Sequence, residues 1–467
     1  MTTPATPRPP LPEGPFLVVG LARSGSAVSR ALAARGADVL ACDSGHPAEA
    51  EGLGEVGVEV ILDADGVRLL ERARCVVKSP GVPTDAPVVE AARAGGTPVI
   101  GELEVGWRMI PNPFIAVTGT NGKTTVTELI GHVHRHAARP VAVAGNVGTP
   151  LASLAGAVDP EATVVCECSS FQLEDAEAFS PECAVFLNFA PDHLDRHPTL
   201  DDYLDAKLRI FANQGNDDVA VYNGDEPALA DRDLGGCARR VAFCAESRLE
   251  PGRPRTRSGG GDRFDCEVSA REGVIFWGDE ALVEVDRLPL LGPHNVANAM
   301  AAAAASLTTG VPEDAVREGL ATFPGIPHRL ERVAKVDGIL FVNDSKATNV
   351  SAAAAGLRSF EGGVHAILGG SLKGETFEGL VEPVAERCAG CYLIGEAAGR
   401  LERDLAPARD AGVRVQRAGG LDEAVRAAAA AAGPGDVVVL APACASFDSY
   451  RDFESRGEHF REIVESL

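Results

Sequence analysis

The stretch Phe114-Ile-Ala-Val-Thr-Gly-Thr-Asn-Gly-Lys-Thr-Thr125 sets the fold class of this chain. Phe114 to Thr118 is a short apolar run, the pattern of a strand buried on both faces. Gly119-Thr-Asn-Gly122 reads as a tight turn, and a helix is expected from Lys123 onward. Strand, glycine turn and helix in that order make a phosphate site. Successive backbone N–H groups point inward, the helix N-terminus adds positive potential, and Lys123 reaches the outer phosphates. Thr124 or Thr125 would place a hydroxyl on Mg²⁺. The general pattern has four residues between its first glycine and Gly-Lys, whereas Gly119 and Gly122 are separated by only two, a short variant. The bland reading is an ordinary turn with a surface lysine, which leaves the order of the parts unexplained.

The same rhythm extends in both directions. Upstream, Phe16-Leu-Val-Val-Gly20 reads as a strand, an Ala-rich helical stretch runs to Gly36, and strands follow at 37–43, 76–81 and 98–100. Downstream, strands are expected at 141–144, 163–167, 184–188 and 219–222, with an Ala-rich helix over 295–309. Beyond Gly325, strands at 340–343, 364–368, 391–394 and 437–440 alternate with helices. This pattern predicts an α/β protein of three consecutive domains with mainly parallel sheets and no internal repeat. Their expected bounds are 15–111, 112–325 and 326–467, after a disordered Pro- and Thr-rich tail over 1–14. The polar stretch 251–262 is expected to be an exposed loop or hairpin tip.

Composition narrows the function classes. The 467 residues suffice for about three domains, and 45% apolar content gives each a core. The 43 basic and 67 acidic residues leave a net charge of −24. Such a charge argues against nucleic acid and against an anionic membrane surface, while leaving room for a local phosphate site. The N-terminus lacks a basic segment followed by an apolar run, and no apolar stretch reaches membrane-spanning length, so a cytoplasmic protein is expected. The 11 scattered cysteines are read as reduced, and Cys388-x-x-Cys391, lacking a second pair, as structural rather than zinc-binding or redox-active.

Candidate chemistry lies after the strands, where open parallel sheets carry their ligands. Glu167 opens Glu167-Cys-Ser-Ser-Phe-Gln-Leu173, and Asn188-Phe-Ala-Pro-Asp-His-Leu-Asp195 holds Asp192 and His193. These side chains are placed to converge near the phosphate turn, and carboxylates with water and phosphate oxygens suit Mg²⁺. His193 reads equally well as a hydrogen-bonded loop histidine, and the pattern alone makes Lys207 a solvated helix lysine. Gly20-Leu-Ala-Arg-Ser-Gly25, with Asp43 ending the next strand, fits a nicotinamide dinucleotide site or a site for another nucleotide diphosphate. In the last third, Lys346, Thr348, Lys373 and Ser446 sit in strand-end loops equipped to hold a small molecule rich in carboxylates. Any one of these loops could be plain turn chemistry; four in one domain is a poor fit to that reading.

The strings TGTNGKTT (118–125), ECSSFQLE (167–174), PDHLDRH (191–197), AKLRIF (206–211), HNVANAMAA (294–302), GIPHRLE (325–331), NDSKATN (343–349) and PACASFDSYRDFESRGEHF (442–460) resemble the Mur ligase family. The resemblance spans almost the whole chain past the tail. It implies a Rossmann-like UDP-binding domain, a central P-loop ATPase domain and a C-terminal Rossmann-like domain. It also implies a monomeric ADP-forming ligase of peptidoglycan precursor synthesis, using ATP and Mg²⁺ to join D-glutamate to UDP-N-acetylmuramoyl-L-alanine through an acyl phosphate. Carried over by position, the resemblance gives ATP contacts to Gly119, Thr120, Asn121, Gly122, Lys123, Thr124, Thr125, Asn295, Asn298, Arg329 (with His328 beside it) and Asp344. Lys346 joins the reaction centre. Metal ligands would be Thr124, Glu167, His193 and Lys207. Lys207 matches the lysine that the family carbamylates, since an ammonium cannot ligate a cation but its carbamate can. Ala22, Arg23 and Ser24 would hold the diphosphate, Asp43 and Ser44 the uracil, and Asn146 and Ser170 the muramoyl portion. Thr348, Lys373, Ser446, Phe447 and Phe453 match the D-glutamate pocket. Two departures stand out: Gly45 where a relative can carry a larger side chain, and no acid between Gly370 and Lys373, which gives Ser371 no role. The alternatives are a folylpolyglutamate-type ligase, a nicotinamide-dependent oxidoreductase, and a nucleotide-binding switch without synthetic chemistry.

Overall fold

The structure is a computed structural model that describes residues 7–193, 196–230, 232–245, 266–290, 292–372, 374 and 376–467. The expected loop at 251–262 lies outside them. Among the described residues the strands form three sheets. The first contains β1 (Phe16–Val19), β2 (Val39–Cys42), β3 (Glu59–Ile61), β4 (Cys75–Lys78) and β5 (Val99–Gly101) in the order β3-β2-β1-β4-β5, all parallel. β1, β2 and β4 are wholly buried runs, apolar apart from Lys78 at the end of β4, as expected where helices cover both faces.

The second sheet holds β6 (Phe114–Thr118), β7 (Val141–Gly145), β8 (Thr163–Glu167), β9 (Cys183–Phe186), β10 (Val219–Asn223), β11 (Arg239–Cys244), β12 (Val268–Arg271), β13 (Val274–Trp277) and β14 (Glu280–Glu284). Its order is β14-β13-β12-β11-β10-β9-β6-β8-β7. The pairings are parallel from β7 through β12, and β12-β13-β14 close one edge as an antiparallel meander. The third sheet is β15 (Glu331–Val336), β16 (Ile339–Asn343), β17 (Val364–Gly369), β18 (Cys388–Ile394), β19 (Arg414–Arg417) and β20 (Val437–Leu440), ordered β15-β16-β20-β17-β18-β19. Only its β15–β16 pair is antiparallel. By contact the chain forms two compact units, Met1–Arg287 with Ala297–Phe323, and Leu288–Val296 with Pro324–Leu467. The first two sheets belong to the first unit and the third sheet to the second.

The α/β reading holds. The strands that sequence reading passed over are the short β3, β11, and the partly exposed β12–β15 and β19, most of which mix polar with apolar residues. Two expectations need correction. Cys244 and Cys266 are joined as a disulfide, because β11 pairs with β12 and brings their Cα atoms to 5.8 Å. The other nine cysteines are free, Cys388 and Cys391 among them. Nor are residues 7–14 a loose tail. The Arg8 guanidinium lies 3.1 Å from the Glu182 carboxylate with both side chains buried, donates to Asn112 O (2.9 Å), and stacks 4.5 Å over Trp107. Among the described residues no helix is long and apolar enough to cross a membrane.

Arg8 supplies a first testable consequence. Arg8→Ala would leave the buried Glu182 carboxylate without its cation, and breaking a buried pair costs about 3 kcal/mol or more. The expected outcome is a clear fall in the urea midpoint of the variant; an unchanged midpoint would mean that the N-terminal residues do not hold this site in solution.

Candidate active site

The phosphate turn is built by the sheet beneath it. β6 lies between β8 and β9, so the chain leaves the sheet at Thr118 where the strand order reverses, the crevice where open α/β sheets bind ligands. Gly119 and Gly122 take φ of +150° and +84°, which side-chain-bearing residues rarely adopt. A Cβ on Gly122 would also stand 2.4 Å from Asn298 Oδ1. Asn188, after β9, braces the turn from below. Its carbonyl accepts from Thr120 N–H (3.0 Å), its Oδ1 accepts from Asn121 N–H (2.8 Å), and its Nδ2 donates to Asn121 O (3.0 Å). The helix Lys123–His136 follows, with Thr124 half-buried and Thr125 buried. Lys123 Nζ donates to the carbonyls of Gly119 (3.0 Å) and Thr120 (2.9 Å).

Lys207 comes to the same turn. It lies on the helix Leu200–Leu208, one turn after Tyr203, and its amine is buried. Nζ donates to Gly119 O at 2.7 Å and sits 4.5 Å over the Tyr203 ring. Burial first, and the Lys123 charge second, push its pKa down to about 6; Asp192, Cys168 and Glu167 act in the opposite sense. The solvated-lysine reading is thus overturned by packing. Glu167 ends β8 beside Val117 of β6 and Gly145 of β7, and is buried. Its Oε1 accepts from Asn146 Nδ2 at 3.0 Å.

His193 is about half exposed, with φ of +54°. Its ring packs edge-on to Phe171 (4.9 Å), and its carbonyl accepts the N–H groups of Arg196 and His197, each at 3.0 Å. His197 is buried. Its Nε2 is 3.0 Å from Ser170 Oγ and its Nδ1 is 3.2 Å from Glu174 Oε1. Burial is the main cause that lowers the His197 pKa, with the His193, Lys207 and Arg196 charges adding.

A cavity of about 600 Å³ opens at the ends of β1 and β2. Ala22, Arg23, Ser24, Asp43, Ser44 and Asn146 all line it. Asp43 spends its carboxylate on backbone: Oδ2 accepts from Leu21 N–H (2.6 Å) and Oδ1 from Gly45 N–H (2.8 Å). Ser170 stands outside the wall, held by His197, while Gln172 from the same short helix forms part of it. The opposite wall includes Pro80, Gly81 and Val82. Lys78, fully buried, donates to Val82 O (3.0 Å) and pairs with Asp175 (2.8 Å).

The second unit gathers its own set after β16 and β20. Asp344 is buried and accepts from Leu330 N–H (3.1 Å); burial pushes its pKa up to about 7, opposed by that bond and by the Arg329 charge. Arg329 Nε is buried and has no hydrogen-bond partner among the described residues. Lys346 Nζ lies 5.6 Å over the Phe453 ring, and its N–H donates to His328 O (3.0 Å). Arg456 is buried and ties these loops together, donating to Ser345 O (2.9 Å), Ser345 Oγ (2.9 Å) and Cys444 O (3.1 Å). Ser446 is buried, Phe447 is 70% exposed, and the Thr348 N–H donates to Lys346 O (2.8 Å). Lys373 lies outside the described residues. Asn295 and Asn298 lie three residues apart on the helix Pro293–Thr308.

Family models match three successive stretches: the Mur ligase MurD-like N-terminal domain over 15–101, the Mur ligase middle domain over 117–306, and the Mur ligase glutamate ligase domain over 328–444. The UDP-N-acetylmuramoylalanine–D-glutamate ligase of Pelotomaculum thermopropionicum is 41% identical over 456 residues, 97% of each chain. The ligase of the same name from Acidobacterium capsulatum is 40% identical, covering 96% of this chain and 95% of its own.

The chain belongs to the Mur ligase family.

Solved structures agree on the fold of this Mur ligase. The UDP-N-acetylmuramate–alanine ligase of Thermotoga maritima superposes with a TM-score of 0.58 at 18% identity, over 97% of this chain and 100% of that one. A pseudomurein peptide ligase type C of Methanothermus fervidus gives 0.55 at 19%, over 96% and 99%. Sequence reading of this Mur ligase missed the residues that support the site rather than face it: Asn188, Tyr203, His197, Lys78 and Arg456. The apolar spacing of Tyr203 and Leu204 ahead of Lys207 was the one available signal, since residues three and four apart share a helix face.

Asp344 carries a pH-dependent prediction. Its carboxyl titrates near 4 in an unfolded chain and at about 7 in the folded one. Between those values the folded state keeps a proton that the unfolded state releases, so this group's contribution to stability falls as pH rises through that window. Asp344→Asn stays neutral and still accepts from Leu330 N–H. Its thermal midpoint relative to the parent should therefore rise from pH 5 to pH 8, and a difference flat with pH would refute the buried-acid assignment.

Proposed function

We infer that this protein joins D-glutamate to UDP-N-acetylmuramoyl-L-alanine with ATP, releasing ADP and phosphate, as a step in peptidoglycan precursor synthesis. One observation carries the reading: likeness at about 40% identity along nearly the full chain to ligases named for that reaction. In this reading the protein works in the cytoplasm as a monomer.

A carboxylate is a poor acylating group, because its carbonyl is already charged and its leaving group would be oxide. In the proposed sequence an oxygen of the alanyl carboxylate attacks the γ-phosphorus of ATP and ADP departs. The amine of D-glutamate then attacks the acyl carbon, phosphate leaves with the bonding pair, and the nitrogen gives up a proton as the amide forms. There is little covalent work for the protein, so its residues position and stabilise charge. The turn from Gly119 to Thr125 holds the phosphates through the N–H groups that Asn188 does not take, and Lys123 turns from its own loop carbonyls to the γ-phosphate. Arg329, with a buried donor unspent, and Asn295 and Asn298 take the rest of the nucleotide, with Asp344 beside it. The cavity at Gly20–Gly25 takes the UDP portion, with Ala22 to Ser24 at the diphosphate and Asp43 and Ser44 at the uracil. Asn146 holds the muramoyl portion. Thr348, Lys373, Ser446, Phe447 and Phe453, with Lys346, receive D-glutamate.

Mg²⁺ fits this neighbourhood. Among the described residues no three His, Cys, Asp or Glu side chains gather as a metal cage. Magnesium keeps several waters and takes one or two carboxylates plus phosphate oxygens, and the buried Glu167, beside β6, is such a carboxylate. Thr124 and His193 would complete the protein's share, with Lys207 as its carbamate. When bound, the ion would neutralise charge developing on the transferred phosphoryl group. The Lys207 amine, with its pKa at about 6, is neutral at physiological pH and so has the lone pair that attacks CO₂.

Phosphate release should require both UDP-N-acetylmuramoyl-L-alanine and D-glutamate, and equal turnover with L-glutamate or a diamino acid would contradict the assignment. Separately, ¹³C-bicarbonate should give a carbamate carbon signal in the NMR spectrum of the parent that is absent from Lys207→Arg. Identical spectra would remove Lys207 from the ligand set.

A further inference from the structure

The loop that carries His193 touches the wall of the nucleotide cavity through the Arg196 side chain. The Arg196 guanidinium lies against three consecutive wall carbonyls, Pro80 O (3.4 Å), Gly81 O (3.5 Å) and Val82 O (3.3 Å). Its other face rests 4.6 Å over the Phe171 ring, the ring against which His193 packs. Its backbone N–H donates to His193 O, so the same residue grips the cavity wall and the strained turn. His197 fixes the far end of that turn through its backbone N–H and through Ser170 and Glu174. A planar fork matches such a row of acceptors, where a lysine ammonium offers a single point.

We propose that Arg196 is a positioning residue that couples filling of the sugar-nucleotide cavity to the geometry of the His193 turn. The proposal rests on the substrate reading above. A left-handed φ at a residue with a side chain is costly and persists only when its surroundings over-determine it. A ligand that settles the Pro80–Val82 wall settles the guanidinium, and through Arg196 N–H the carbonyl of His193. Because coupling between sites is reciprocal, the same linkage makes nucleotide and metal at the turn favour the sugar nucleotide in the cavity.

Titration calorimetry of the full chain with a β,γ-imido ATP analogue and MgCl₂, with and without saturating UDP-N-acetylmuramoyl-L-alanine, reads this coupling. The sugar nucleotide should tighten the analogue at least about fivefold in the parent, and in Arg196→Ala that factor should fall to within about twofold of unity. Each ligand alone should bind both proteins alike, which a merely unfolded variant would not do. Should Arg196→Ala fail to fold by circular dichroism, Arg196→Lys carries the test, since it keeps the charge, loses the fork and should lose most of the factor. A factor retained in the variant, or a factor of one in the parent with both ligands bound, overturns the proposal while leaving the substrate reading standing. No binding of the sugar nucleotide by the parent removes the substrate reading and the proposal with it.

Discussion

A lysine amine buried against the carbonyl of Gly119 is the contact on which the central site turns. An ammonium deprived of water is expensive, and among the described residues the protein offers no carboxylate ion pair at Lys207 to offset the cost. What it offers is one carbonyl, one ring face and the more distant charges of Asp192 and Glu167, against the like charge of Lys123. The outcome is an amine whose pKa burial lowers to about 6, held against the Gly119 carbonyl. Two lysines crowd that turn: Lys123 donates to the carbonyls of Gly119 and Thr120, and Lys207 to that of Gly119.

The turn itself is fixed from beneath. Asn188 satisfies both its own amide and the backbone of residues 120 and 121, taking the N–H groups of Thr120 and Asn121 and so fixing the turn between Gly119 and Gly122 in its left-handed conformations. The sheet supplies the address. With β6 between β8 and β9, Thr118, Glu167 and the chain after Phe186 all end on one edge, and the ligating candidates follow from strand order rather than from any local signal.

What could be read from the sequence divides along that line. Features made by consecutive residues were legible: the buried strand and glycine turn at 114–125, the strand ends at Val19, Glu167, Asn343 and Leu440, and the loop Gly20–Gly25 with Asp43, whereas Ser44 and Asn146 came through the family resemblance alone. Features made by distant partners were not. Arg8 finds Glu182 across 174 positions, so its segment looked like a tail. Cys244 meets Cys266 only because β11 and β12 lie side by side. Lys207 shows helical spacing but not which face is covered, and its burial depends on a sheet formed elsewhere in the chain. Ser170 was assigned by resemblance to the substrate, while in the fold its hydroxyl is engaged by His197 and Gln172 takes the wall.

The helix Ser170–Glu174 is only five residues long, yet it serves three neighbours at once. Gln172 faces the nucleotide cavity, Glu174 and Ser170 grip His197, and Phe171 supports both His193 and Arg196. Ser169 caps it with a reciprocal capping box, Ser169 Oγ accepting from Gln172 N–H and the Gln172 side chain accepting from Ser169 N–H. A segment so short has no helical stability of its own. It keeps its shape because the cavity wall, the contacts to His193, Arg196 and His197, and the cap all hold it in place.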